Sequence, residues 1–221
     1  MQKVWFDKDF SVDSKILFVA FAGKKFVPGK WEWANTWMGL YKDLKFKRMH
    51  IVDQNISWWH TAYPDIEGHG PLALKGFLQE QIEEADVDYV VFMGLSMGGY
   101  GAILMGCLVG ADETISFSPQ TFLSRNRYRK AQLHKKFEPY DIDEEMTDLK
   151  NVLEKSNNKK TIYNIYYGKL NKTDVLHAER LGHIENVRLF PVNSGRHTVA
   201  GVLVTDGTIG RVMNKIVQSH S

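Results

Sequence analysis

The sequence predicts an α/β fold, a mostly parallel twisted β-sheet sandwiched by helices in three layers. Short runs rich in β-branched and aromatic residues, several of them continuously apolar, alternate with longer stretches whose apolar residues recur at helical spacing. Continuous apolar runs mark strands covered on both faces, as parallel sheets require. The alternation itself argues for strands joined by covering helices. No internal repeat, low-complexity tract or Pro/Gly/Ser linker interrupts the pattern.

Taken in order, the strand candidates are Lys15–Phe21, Arg48–Asp53, Asp88–Gly94, Thr114–Ser118, Thr161–Tyr167 and Asn186–Pro191. Val4–Phe6 is a candidate antiparallel edge strand. Helical patterns cover Ala34–Leu44, Pro71–Ala85, Met97–Val109, Asp143–Lys155, Asp174–Gly182 and Ile209–Gln218. In the second of these, Leu74, Phe77, Leu78, Ile82 and Ala85 share one face and the charges lie elsewhere. Active sites of such sheets form at the carboxyl ends of the strands.

Bulk composition narrows the classes. At 221 residues, with 43% hydrophobic and 24% charged residues, the chain is sized for one globular domain spanning 1–221. A small lid or cap insertion is expected around 119–142. A net charge of +2 gives no reason to expect nucleic acid or an anionic membrane as partner. The lone Cys107 excludes an internal disulfide framework and suits a reducing compartment. No apolar run approaches the ~20 residues of a membrane span, and the first residues carry no apolar signal core. A soluble cytoplasmic domain is the expectation.

The chemistry concentrates at Gly94-Leu95-Ser96-Met97-Gly98-Gly99-Tyr100-Gly101, which follows the strand DYVVFM and opens the apolar stretch AILMGCLVG. A G-x-S-x-G pattern between strand and helix reads as a nucleophile elbow. The serine must sit on a strained, very tight turn, and Gly94 and Gly98 leave room for neighbouring backbone. The helix start adds favourable partial charge and the Met97 N–H for an oxyanion. The bare pattern arises by chance in roughly 7% of chains this long, so the flanking strand and small-residue helix are what give it weight.

GLSMGGYGA with its flanks resembles the elbow of the α/β-hydrolase superfamily, and the strand–helix alternation extends the resemblance over nearly the whole chain. The combination of FVAFAG, DQNISWWH, GLSMGGYGA and SFSPQ also resembles a group of small bacterial hydrolases, some of them associated with surface polysaccharide. The resemblance implies a triad in the order Ser, acid, His. Among the 8 histidines, His197 lies in the polar loop NSGRH after the last strand candidate. His177 and His183 fall in or near a helix, and His220 in the terminus. For the acid, the loop after TIYNIYY reaches Asp174 at the start of a helix. An N-cap is the competing reading of an aspartate there, and His177, one turn on, either braces the loop or is an ordinary helix residue.

In this superfamily a second oxyanion donor comes from the loop after the strand KILFVAF, which places Gly23 as the candidate although the HGGG signature of many lipases is missing. Trp31, Trp33 and Trp37, and then Trp58, Trp59 and His60, fall in two loops on the same edge. Trp33, Trp58 and Trp59 are candidates to stack on a sugar ring or line an acyl pocket, with a buried cap core as the alternative. Asp53 is expected to hydrogen-bond loop backbone. Arg125, Arg127, Arg129 and Lys130 form either a solvated face or an attractor for an anionic substrate.

The expected activity is ester hydrolysis through an acyl-enzyme, on a small-molecule or saccharide ester. A thioesterase, a peptidase, or a non-catalytic saccharide- or protein-binding member of the fold are the alternatives. No cofactor is implied, no Cys/His spacing suggests a metal, and nothing specifies an oligomeric state.

Overall fold

Seven strands form one sheet in a computed structural model that describes residues 5–24, 43–123 and 144–221. In chain order the elements are β1 (Phe6–Asp9), β2 (Ile16–Phe21), β3 (Lys47–Ile51), α1 (Gly70–Ala85), β4 (Tyr89–Leu95), α2 (Met97–Met105), β5 (Glu113–Phe117), α3 (Leu149–Lys155), β6 (Ile162–Gly168), α4 (Lys172–Glu179), β7 (Val187–Val192), α5 (Val199–Thr205) and α6 (Thr208–His220). The spatial order is β1-β3-β2-β4-β5-β6-β7. Every pairing is parallel except that of β1 with β3.

The apolar runs become strands because both faces of the sheet are covered. Leu17, Val19 and Phe21 of β2 face a core closed by α1, α2, α3 and α4. Ile16 and Phe18 face the other, where α5 and α6 contribute Val199, Leu203, Ile209, Met213 and Ile216. Burying each such side chain is worth about 1.5–3 kcal/mol, which is why these runs settle as two-sided strands. The register pairs Phe21 with Gly94, Leu95 with Phe117 and Gly168 with Val192. The carboxyl ends of β2, β4, β5, β6 and β7 therefore finish side by side.

The differences from expectation have local causes. The edge strand runs Phe6–Asp9; of the expected Val4–Phe6, Val4 lies outside the described residues, and Trp5 is buried with its carbonyl accepting from Val52 N–H at 2.8 Å. The Met97–Val109 helix is α-helical only to Met105 and closes in a π turn, Gly106–Gly110. There a side chain on Gly106 would strike Thr114 Cγ2. The helix expected from Asp143 starts at Leu149, because Asp148 caps it by accepting from Lys150 N–H, and a single 3₁₀ turn precedes it. Residues 34–42 of the expected Ala34–Leu44 helix, the lid around 119–142 beyond Leu123, Trp31, Trp33 and Trp37, and the cluster Arg125, Arg127, Arg129 and Lys130 lie outside the described residues, while Asp43 and Leu44 are not helical. No described helix is long and apolar enough to cross a membrane.

One sheet residue carries a measurable consequence. His50 on β3 is 2% exposed, and neither ring nitrogen has a hydrogen-bond partner among the described residues. Burial holds its pKa down to about 4. The unfolded chain, whose histidine titrates near 6.5, binds the extra proton first, so stability falls as pH drops from 6.5 toward 4. Urea unfolding of His50→Leu across that range should show a shallower fall than wild type, by about 3 kcal/mol at pH 4.

Candidate active site

Ser96 stands between β4 and α2 with φ 59° and ψ −112°. A non-glycine residue in this region costs on the order of 1–3 kcal/mol and persists only where its surroundings over-determine it. The surroundings do so here. The Ser96 amide donates to Phe117 O at 2.9 Å, and its carbonyl accepts from Tyr100 N–H at 3.0 Å. A Cβ on Gly94 would lie 2.3 Å from Gly98 C, and one on Gly98 would lie 2.1 Å from Phe21 O. Both positions touch backbone and admit only glycine. Met97 opens α2, so its N–H has no carbonyl one turn earlier to receive it.

The acid comes from the first turn of α4, after β6. Asn171 is the N-cap of α4, accepting from the amides of Thr173 and Asp174. The capping role that competed for Asp174 therefore belongs to Asn171, and Asp174 stands in the first turn, 2% exposed. Its Oδ1 lies 2.7 Å from His197 Nδ1 and its Oδ2 accepts from Ser118 Oγ at 2.9 Å. His197 Nε2 in turn lies 2.9 Å from Ser96 Oγ. The His197 loop is held against the acid loop by Leu170 N–H to Ser194 O at 3.2 Å and Asn171 Nδ2 to Gly195 O at 3.4 Å.

Ser96, His197 and Asp174 are thus brought into one hydrogen-bonded line from three strand ends. With Nδ1–H donating to the carboxylate, Nε2 is left as acceptor for the serine hydroxyl. Such a line can deprotonate the serine as it attacks and hold the resulting imidazolium. Gly23 follows β2 beside the elbow, where a Cβ on it would lie 3.2 Å from Leu95 O.

Trp58 and Trp59 are buried, as the cap-core alternative expects. Trp59 is wholly buried, and its Nε1 donates to Met97 O at 3.1 Å. Gly101 leaves space for its ring under α2, since a Cβ there would lie 2.3 Å from Trp59 Nε1. It is a prop for the elbow helix and offers no face to a substrate. Trp58, at 5% exposure, is no open stacking platform either. Its Nε1 donates to Gln120 Oε1 at 2.6 Å, and Lys24 Nζ stands 5.9 Å from its ring centroid. Both tryptophans and Ile56 have positive φ, at 53°, 71° and 51°. The Asp53 carboxylate clips this contorted loop by accepting from the amides of Asn55 at 3.1 Å, Ser57 at 2.6 Å and Trp59 at 3.0 Å. Burial pushes the Asp53 carboxyl above its ordinary range, and these amides oppose the shift.

Behind the site, Tyr100 donates its hydroxyl proton to Met146 O at 2.6 Å, leaving its oxygen to accept from His60 Nε2 at 2.8 Å. Burial lowers the His60 pKa to about 3, so this ring is a neutral strut. His177, 2% exposed, accepts Thr121 N–H on Nδ1 at 3.0 Å and braces the chain after β5 against α4. Sequence reasoning assigned no role to Ser118 or Gln120; SFSPQ was visible as a motif, but its reach to residues 56 and 62 positions away was not. Among the described residues no group of three or more His, Cys, Asp or Glu is placed to hold a metal ion.

The sheet order, the crossovers and the strained turn after β4 are those of the α/β-hydrolase fold. No protein-family model and no curated protein matches the sequence. Solved structures do match. A chain of the glycosylation-associated protein complex of Streptococcus agalactiae superposes with TM-score 0.67 at 18% identity. That alignment takes in 96% of this chain and 44% of the other, so this chain spans less than half its length. The capsule O-acetyltransferase of Neisseria meningitidis serogroup A gives TM-score 0.68 at 16% identity, covering 96% of this chain and 90% of that one. A structure from a study of carboxylesterases of Nitrososphaera gargenis gives 0.64 at 10%, covering 98% and 96%. At these identities the likeness shows the fold.

The glycine requirement is testable by contrast. Gly98→Ala should lower the unfolding free energy by about 3 kcal/mol, because the new methyl meets the Phe21 carbonyl rather than a movable side chain. Gly201→Ala, in α5 with nothing within 4 Å of the added carbon, should raise it by about 0.5 kcal/mol. Urea melts of the two variants check both signs.

Proposed function

We propose that the chain is a serine hydrolase acting on carboxylic esters, as an esterase or deacetylase, with an acylated saccharide as the favoured substrate class. The observation that supports this best is the unbroken line from Ser96 Oγ to His197 Nε2 at 2.9 Å and from His197 Nδ1 to Asp174 at 2.7 Å. It lies at the strand ends, on a serine held in a strained turn.

In this reading His197 Nε2 takes the Ser96 proton as Oγ bonds to the ester carbonyl carbon. The carbonyl electron pair moves onto oxygen, where the Met97 amide, and the Gly23 region opposite it, receive the negative charge. Collapse expels the alkoxide, which leaves with the proton from His197. Water then repeats the sequence on the acyl-enzyme, releasing the carboxylic acid and restoring Ser96. Asp174, buried and doubly hydrogen-bonded, keeps the imidazole in the Nδ1–H tautomer and balances its charge while the proton is held.

Acyl transfer to a sugar hydroxyl in place of water is the second reading. The likeness to a capsule O-acetyltransferase over 90% of that chain favours it, and the two outcomes share every step up to the acyl-enzyme. The test is turnover of p-nitrophenyl esters from acetate to octanoate by wild type and Ser96→Ala. Wild type should turn over the short esters and Ser96→Ala should lose about 10⁴-fold or more in rate. Equal rates for the two proteins would remove Ser96 from the reaction. Faster release of p-nitrophenol on adding a saccharide acceptor, with acyl-sugar formed, would favour transfer.

A further inference from the structure

Ser118 follows β5 with φ 41°, the left-handed region that a side chain rarely adopts. It also precedes Pro119, and a residue before proline is pressed toward extended backbone. Two local preferences are therefore overridden at one residue. Its amide is committed to Tyr166 O at 2.7 Å, and its Oγ, 1% exposed as a residue, reaches Asp174 Oδ2 at 2.9 Å. Asp174 spends its other oxygen on His197.

The segment Phe117–Gln120, to which Ser118 belongs, holds the nucleophile from the other side. Phe117 O receives the Ser96 amide at 2.9 Å, and Gln120 N–H donates to Ser96 O at 3.4 Å. Pro119 Cβ would sit 3.1 Å from a Cβ on Gly99, so the prolyl ring packs on the first turn of the elbow helix. The short segment Phe117–Gln120 touches the serine's backbone at two points and the acid's carboxylate at a third. It spans the gap that His197 must bridge.

Resting on the triad reading above, we propose that Ser118 is a positioning residue for the reaction: its strained backbone aims a hydroxyl at Asp174 Oδ2, locking the carboxylate so that Oδ1 faces His197. A carboxylate with one oxygen tied to a donor cannot rotate about its Cβ–Cγ bond, and it shares less charge with the imidazole. Removing the hydroxyl leaves Asp174 buried with a missing partner and a stronger pull on the imidazolium, so the acidic limb of the rate profile moves to higher pH.

The discriminating pair is Ser118→Ala and Ser118→Gly. Both lose the hydroxyl, but glycine adopts φ 41° without strain, so Ser118→Gly keeps the backbone and folds even where Ser118→Ala does not. The readouts are kcat, KM and the pH profile of kcat/KM on p-nitrophenyl acetate, with wild type and Ser96→Ala alongside. The expected result for Ser118→Gly is a loss of about tenfold or more in kcat. Its KM should stay within about twofold and its acidic limb should move up by about half a pH unit. Wild-type kcat in Ser118→Gly, or a loss with the limb unmoved, overturns the proposal while leaving the triad standing. Wild type no faster than Ser96→Ala overturns the triad reading and the proposal with it.

Discussion

A serine forced to φ 59° between a buried parallel strand and a helix is the constraint from which the rest of the site follows. The turn is too tight for side chains at Gly94 and Gly98, because each would enter backbone of a neighbouring segment. That closeness also lets β5 deliver a carbonyl to the Ser96 amide, and lets Trp59 slide under the helix to hold the Met97 carbonyl. The strain is held by two cores, one on each face of the sheet, so no single contact has to supply it. What the strain yields is position: a hydroxyl raised at the strand ends and a helix amide free beside it.

The remaining groups are placed by loops tied to one another. The acid loop is capped by Asn171, and the histidine loop hangs on it through Leu170 and Gly195. The chain after β5 joins the acid to the elbow. Asp53 does comparable work on the opposite flank, where one buried carboxylate satisfies three amides of a loop with three left-handed residues. On both flanks a polar side chain at the carboxyl end of a strand organises a loop that could not hold its shape by packing alone.

Much of this was legible in the sequence, for physical reasons. Strand runs such as ILFVAF and YVVFMGL are continuously apolar because both faces are covered, and their spans differ from expectation by a residue or so. The elbow was legible because its glycines are demanded by backbone contact within a few residues. His197 and Asp174 came from the Ser, acid, His order that the family resemblance implies, and the fold brings both beside Ser96. The sequence left Trp58 and Trp59 open between a substrate face and a buried core, because a tryptophan in a loop looks solvent-facing until the helix it supports is in place. Ser118 and Gln120 escaped because their partners lie 56 and 62 residues away, and nothing local in S-P-Q announces a reach across the sheet. The start of α3 was missed because helical spacing ran on through Asp143–Lys155, whereas Asp148 caps the helix at Leu149 and also pairs with Phe122 in an antiparallel bridge.

The central claim is that Ser96 is a nucleophile activated by His197, and covalent labelling reads it without knowledge of the natural substrate. The protein would be treated with an alkyl fluorophosphonate and analysed by intact mass and peptide mapping. The account predicts a single adduct on the peptide carrying Ser96, with labelling at least about a hundredfold slower in His197→Ala, which has lost the general base. An unlabelled wild type, or an adduct that persists in Ser96→Ala, would contradict it.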